Sequence, residues 1–115
     1  MKEITIDEVK SFLDSINVKI DIYGMVFADR QRCQETMRML GISETVAKSI
    51  IKTLDATDFS KYFEDTSQWG CDLWAFGKDV NGEEIYIKIG LGLPNRQTIC
   101  VSFHKADFPI QYPFK

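Results

Sequence analysis

Apolar residues recur at helical spacing along the first half of the chain and in alternation along the second. Thr5-Ile6-Asp7-Glu8 has the Ser/Thr-x-x-Glu spacing of a capping box, in which the hydroxyl and the carboxylate each satisfy a backbone N–H at a helix start. Ile6, Val9, Phe12, Leu13 and Ile16 follow on one face and predict a short amphipathic first helix. From Asn17 to Phe27 the pattern changes: Val18, Ile20 and Ile22 alternate with Lys19 and Asp21, predicting an extended segment that ends near Gly24. Asp29 is placed to cap a second helix carrying Cys33, Met37 and Leu40, with Gly41 as its stop. Ser43 opens a third, whose Val46, Ala47, Ile50, Ile51 and Leu54 form a stripe opposite Glu44, Lys48 and Lys52. Asp55 to Gly70 lacks periodicity and predicts an irregular polar loop with Lys61 in it; loops of this length often carry function.

Leu73 to Lys78, Ile85 to Leu91 and Thr98 to His104 read as strands. Asn81-Gly82 is the preferred pair for a two-residue hairpin turn, because both positions need positive φ, and it fixes the register. Val80 then faces Glu83, Lys78 faces Ile85, Phe76 faces Ile87 and Trp74 faces Ile89. Trp74, Phe76, Ile85, Ile87 and Ile89 share a face that needs cover, which the helical stripes supply. The other face carries Ala75 and Gly77 beside Tyr86 and Lys88. In the last strand Ile99, Val101 and Phe103 alternate with Thr98, Cys100, Ser102 and His104, so matching the apolar sides puts Ser102 and His104 with Tyr86. The expected result is a tyrosine, a lysine, a serine and the only histidine above two small residues able to seat a ligand. The class is α+β: N-terminal helices (about residues 5–54) packed on one face of a C-terminal twisted antiparallel sheet (about 72–104). An extended tail (105–115) packs its rings across what is expected to be one domain, 1–115.

The 115 residues suit one compact domain, with 44% hydrophobic and 27% charged residues. Fourteen Lys and Arg against 17 Asp and Glu give a net charge of −3, which argues against coating nucleic acid through bulk charge and leaves only a local basic site. The apolar runs are far shorter than the ~20 residues of a membrane span, and the acidic start Met1 to Glu8 lacks a secretory core, so no membrane partner and a cytoplasmic location are expected. Cys33, Cys71 and Cys100 fall outside any Cys-x-x-Cys pattern and there is one histidine, so reduced thiols and no metal site are expected. Neither phosphate-loop nor Gly-x-Ser-x-Gly motifs occur, which disfavours nucleotide-cofactor enzymes and serine hydrolases; no cofactor is expected. Taken singly, Tyr86, Lys88, Ser102 and Lys61 are ordinary packing or solvated side chains. His104 is the stronger candidate, since imidazole moves protons near neutrality.

The run Leu54-Asp55-Ala56-Thr57-Asp58-Phe59-Ser60-Lys61, followed by Ile85-Tyr86-Ile87-Lys88-Ile89 and Ile99-Cys100-Val101-Ser102-Phe103, resembles the MqsR (motility quorum-sensing regulator) toxins, loosely over Val9 to His104. The resemblance implies a RelE-like fold, metal-independent cleavage of mRNA, neutralisation by a cognate antitoxin, and the ribosome as a further partner. It implies that Lys61 and Tyr86 are the catalytic lysine and tyrosine, and it puts His104 where the family has a final lysine. The family's Trp-Gln-Asp becomes Trp69-Gly70-Cys71-Asp72, with Gln68 one step before the tryptophan. RNA cleavage without a metal needs a base for the 2′-hydroxyl, a cation for the phosphorane and an acid for the 5′-oxygen. His104 is suited to acid or base, Lys61 or Lys88 to holding the phosphate and Tyr86 to positioning it. Lys78, Ser102 and Gln68 are the further RNA contacts expected. A non-catalytic RNA- or protein-binding module of the same fold is the alternative, motivated by the missing glutamine and the acidic total. A small-molecule enzyme using His104 would instead require an enclosed pocket over Ala75 and Gly77.

Overall fold

Thr5 caps the first helix, α1 (Ile6–Tyr23): its hydroxyl accepts from the Glu8 N–H and Glu8 Oε1 accepts from the Thr5 N–H, both at 3.1 Å. Such a cap contributes about 1 kcal/mol. In the computed structural model, which describes residues 3–64 and 69–115, α1 does not give way to an extended segment at Asn17. It runs on because no Gly or Pro intervenes before Gly24, and the three alternating apolar residues divide between two helical faces. Ile20 turns inward with Ile16, while Val18 and Ile22, four apart, stand 59% and 66% exposed. Lys19 Nζ donates to the Leu91 and Leu93 carbonyls at 2.5 and 2.7 Å and fastens this last part of the helix to a distant loop.

Only Met25–Phe27 is extended, as β1. The helices α2 (Arg30–Leu40) and α3 (Glu44–Lys52) follow, capped by the Asp29 and Ser43 side chains as predicted, and Gly41 ends α2 with φ 70°. The α3 stripe is narrower than expected: Ala47 and Ile51 are buried but Val46 is 43% exposed. The segment read as an irregular loop contains a 3₁₀ turn at Ala56–Asp58 and then a strand, β2 (Phe59–Phe63). Its three aromatic residues suit a half-buried pleated surface, and pairing with the next strand overrides the missing alternation.

The remaining strands are β3 (Leu73–Val80), β4 (Glu83–Gly90) and β5 (Thr98–Lys105). The β3–β4 register is the predicted one, from Trp74↔Ile89 to Val80↔Glu83, with Asn81 and Gly82 at φ 54° and 85°. The sheet order is β1-β5-β4-β3-β2, and β1 runs parallel to β5, so the sheet is mixed rather than purely antiparallel. Such a pairing between chain-distant segments is not tied to a hairpin and leaves no turn signal in the sequence.

One irregularity reverses part of the predicted facing. Lys88 pairs with Ser102 but Ile89 pairs with Cys100, so Val101 is an extra residue in β5. Below this bulge Thr98 and Cys100 point into the core, both 0% exposed, instead of sharing the Tyr86 face. Above it Phe103 points inward and Ser102 and His104 stay outward, as predicted.

The three helices pack on the inner face, where Phe76, Ile85, Ile87, Ile89 and Phe103 are 0% exposed. Phe12 of α1 stacks on Trp74 with ring centroids 4.5 Å apart and planes 11° apart. Burying each such side chain contributes about 1.5–3 kcal/mol and leaves the opposite face of the sheet for other work. The radius of gyration is 13.2 Å. No helix among the described residues is long and apolar enough to cross a membrane.

Candidate functional site

Directly opposed residues of paired strands share a face and stand about 5 Å apart at Cβ. On the outer face Lys61, Ala75, Lys88 and Ser102 are successive partners and make one row across β2, β3, β4 and β5. Gly77, Tyr86 and His104 make the adjacent row. Five side chains predicted from sequence, Lys61, Tyr86, Lys88, Ser102 and His104, are thereby brought together by strand pairing alone. They line a groove of about 610 Å³, walled on one side by residues 106–111 of the tail.

Two cations crowd one aromatic ring in this groove. Lys88 Nζ lies 4.4 Å and Lys61 Nζ 5.1 Å from the centroid of Phe63. Burial, and then repulsion from Lys61, hold the Lys88 ammonium below its ordinary pKa. Burial pushes the Tyr86 hydroxyl up, so it stays protonated at neutral pH. The Tyr86 and His104 rings lie 5.5 Å apart at 32°. His104 Nδ1 is 2.8 Å from the Lys105 carbonyl oxygen, which can only accept, so Nδ1 carries the hydrogen and neutral His104 presents its lone pair at Nε2.

The tail closes the rest of the outer face. Glu84, two residues before Tyr86, accepts from the Tyr112 hydroxyl at 2.7 Å and from the Ile110 N–H at 3.4 Å. Arg32 Nη2 of α2 donates to both carboxylate oxygens of Asp107, at 3.1 and 3.2 Å. Glu84 and Asp107 are thus engaged by the chain itself, and Lys61 and Lys88 are ammonium groups that line the groove. Gly77 is not an open floor for a ligand: a Cβ there would run into the Tyr112 hydroxyl and come within 2.8 Å of Ile110 Cδ1. Among the described residues no enclosed pocket forms above Ala75 and Gly77, because the tail occupies the glycine's space.

Two predicted contacts lie elsewhere. Lys78 alternates with Gly77 onto the inner side of the sheet and pairs with Asp58 Oδ2 at 3.3 Å, away from the groove. Gln68 lies outside the described residues. Cys71 and Asp72, from the segment that resembles the Trp-Gln-Asp of the MqsR toxins only in part, line a separate hollow of about 390 Å³ against Glu8 and Phe12 of α1. The Asp72 carboxylate there accepts a hydrogen bond from the Tyr62 hydroxyl.

Sequence reasoning missed Phe63 and the tail's part in the groove. The signal for Phe63 was the aromatic-rich run Phe59 to Phe63, which reads as a strand on propensity and puts Lys61 and Phe63 on one side. No local pattern could announce the Arg32–Asp107 pair, 75 residues apart in sequence. Among the described residues no group of three or more His, Cys, Asp or Glu side chains is placed to hold a metal ion. The groove's own chemistry is that of an anion site with an imidazole beside it: two ammonium groups, two hydroxyl donors and a ring nitrogen lone pair. Set against models of known families, curated proteins and solved structures, the chain matches none.

Proposed function

We propose that the protein is a metal-independent endoribonuclease acting on mRNA, the toxin of a toxin–antitoxin pair, neutralised by a cognate antitoxin and able to act at the ribosome. The observation that carries the reading is the assembly of Lys61, Lys88, Tyr86, Ser102 and His104 in one groove from three strands. The MqsR resemblance supports it, since Lys61, Tyr86 and His104 are the positions it singles out.

The chemistry follows from the groups present. His104 Nε2 takes the proton of a ribose 2′-hydroxyl, and the 2′-oxygen forms a bond to the adjacent phosphorus. Lys61 and Lys88 hold the negative charge that grows on the non-bridging oxygens, with the Ser102 hydroxyl donating to one of them. The bond from phosphorus to the 5′-oxygen breaks, and the protonated Tyr86 hydroxyl gives its proton to that far more basic oxygen. The products are a 2′,3′-cyclic phosphate and a 5′-hydroxyl. Solvent returns the proton from His104 to Tyr86.

Purified protein incubated with mixed-sequence RNA in EDTA, with and without ribosomes, tests the reading. Cleavage leaving 2′,3′-cyclic phosphate ends is expected, and His104→Ala slows it by about 10²–10⁴-fold. Expression without the antitoxin should arrest growth, and His104→Ala or Lys61→Ala should relieve the arrest. RNA that binds and is never cut, under any of these conditions, replaces the nuclease with a binding module of the same fold.

A further inference from the structure

Phe108 is the most exposed of the large hydrophobic side chains among the described residues, at 82%, and it lines the groove. A ring so exposed at the end of a chain is ordinarily a sign of a frayed terminus. Here both sides of it are fastened. Asp107 is held by Arg32, Pro109 restricts the backbone that follows, and Ile110 is hydrogen-bonded to Glu84. The chain therefore spends two anchors on presenting a phenyl ring to solvent at the rim of a cationic groove.

A second ring faces the same groove. Phe63 comes from β2 and Phe108 from the segment that leaves β5, with Lys88 and Tyr86 of β4 on the floor that both border. Aromatic faces alternating with cations are the pattern that binds single-stranded nucleic acid: rings take the faces of unstacked bases, cations take the phosphates between them. Paired bases inside an A-form duplex have no free face to offer.

Building on the ribonuclease reading, we propose that Phe108 is a base-stacking residue and that it directs the groove to single-stranded RNA. Phe108 takes the face of one base, and Lys61 and Lys88, gathered at the Phe63 ring, hold the phosphate next to it.

The test is affinity rather than cleavage, made in the His104→Ala background so that the RNA survives. The probes are a labelled single-stranded oligoribonucleotide, its fully abasic counterpart and its duplex. Phe108→Ala should weaken the single strand about tenfold and leave the abasic strand unchanged, and Phe108→Trp should restore binding. Lys61→Ala should weaken both strands alike, and the duplex should bind more weakly than the single strand. A Phe108→Ala loss that is equal on the normal and abasic strands overturns stacking while leaving the groove as an RNA site. Unchanged RNA affinity together with reduced self-association makes the ring a protein contact and overturns the proposal. Failure of the wild-type chain to bind any of the three probes overturns this proposal and the ribonuclease reading together. Thermal melting of each variant confirms that an exposed position was changed without unfolding the chain.

Discussion

Lys88 stands partly buried on the outer face of the sheet. Its ammonium is partly desolvated, and Lys61 repels it beside the Phe63 ring. Both effects lower its folded pKa below the unfolded value of about 10.5. For a base shifted in this direction the charged form is disfavoured in the folded state, so the destabilisation is fully present below the folded pKa and disappears above the unfolded one. At neutral pH it is therefore in force. Lys88→Met keeps the stem and removes the charge, and its melting temperature should equal or exceed that of the parent while RNA cleavage falls by at least tenfold. An anion between the two lysines turns repulsion into bridging, so inorganic phosphate or RNA should raise the melting temperature of the parent more than that of Lys88→Met. A clear drop in Tm for Lys88→Met, or equal phosphate shifts in the two proteins, would show that Lys88 serves the fold and not the groove.

At the scale of elements the tail and the sheet determine each other through Gly77. A methyl group at this position meets the Tyr112 hydroxyl and Ile110 Cδ1, which must move for it to fit. Gly77→Ala should cost about 1–3 kcal/mol and release the tail from β3, read as faster proteolysis after Phe108 with the sheet intact; an unchanged cleavage pattern would mean that the tail yields by simple side-chain rotation. This coupling was half legible in the sequence. The aromatic, proline-punctuated tail signalled packing, and Ala75 and Gly77 signalled space, but nothing local said that one fills the other. The β3–β4 hairpin was fully legible because Asn81-Gly82 writes its register into two adjacent residues. The end of α1 was not, because Val18, Ile20 and Ile22 satisfy both a period of two and a helix with two of the three turned to water. The facing of Thr98 and Cys100 failed for a different reason: a bulge at Val101 reverses alternation, and its signal lies in the partner strand. The shared face expected for Tyr86, Lys88, Ser102 and His104 is kept because Ser102 and His104 lie beyond the bulge, on the stretch still in register with Tyr86 and Lys88.

Across the whole molecule, Cys33, Cys100, Tyr62, Tyr86 and Tyr112 are all pushed up, whereas Asp55, at a helical cap, is pulled down by its hydrogen bonds from Thr57. Burial pushes the Cys33 thiol up to about 11 and that of Cys100 well above its ordinary 9.0. The hydrogen bond to Asp72 raises Tyr62 to about 12, and burial leads the upward shifts of Tyr86 and Tyr112. Each of these thiols and phenols binds its proton more tightly folded than unfolded. The stability they contribute is thus complete below pH 9 and is lost as pH rises, first through the cysteine range between about 9 and 11 and then through that of the tyrosines. The two buried cysteines lie where the helical layer meets the sheet, Cys33 on α2 and Cys100 on β5, and α2 also carries the Arg32 that fixes Asp107 beside the groove. Weakening that joint should disturb the fold and the groove together. Tm should be nearly flat from pH 7 to about 8.5 and fall steeply above pH 9, and RNA binding should fall at least as early, because the Lys88 ammonium, held below its ordinary pKa, also loses its charge as pH rises. Cys33→Ala should lower Tm at pH 7 by opening a small cavity yet make the decline above pH 9 shallower. The check is a set of melting curves from pH 7 to 10.5 for both proteins: parallel declines would remove Cys33 from the account and leave alkaline loss to the tyrosines and to general charge repulsion.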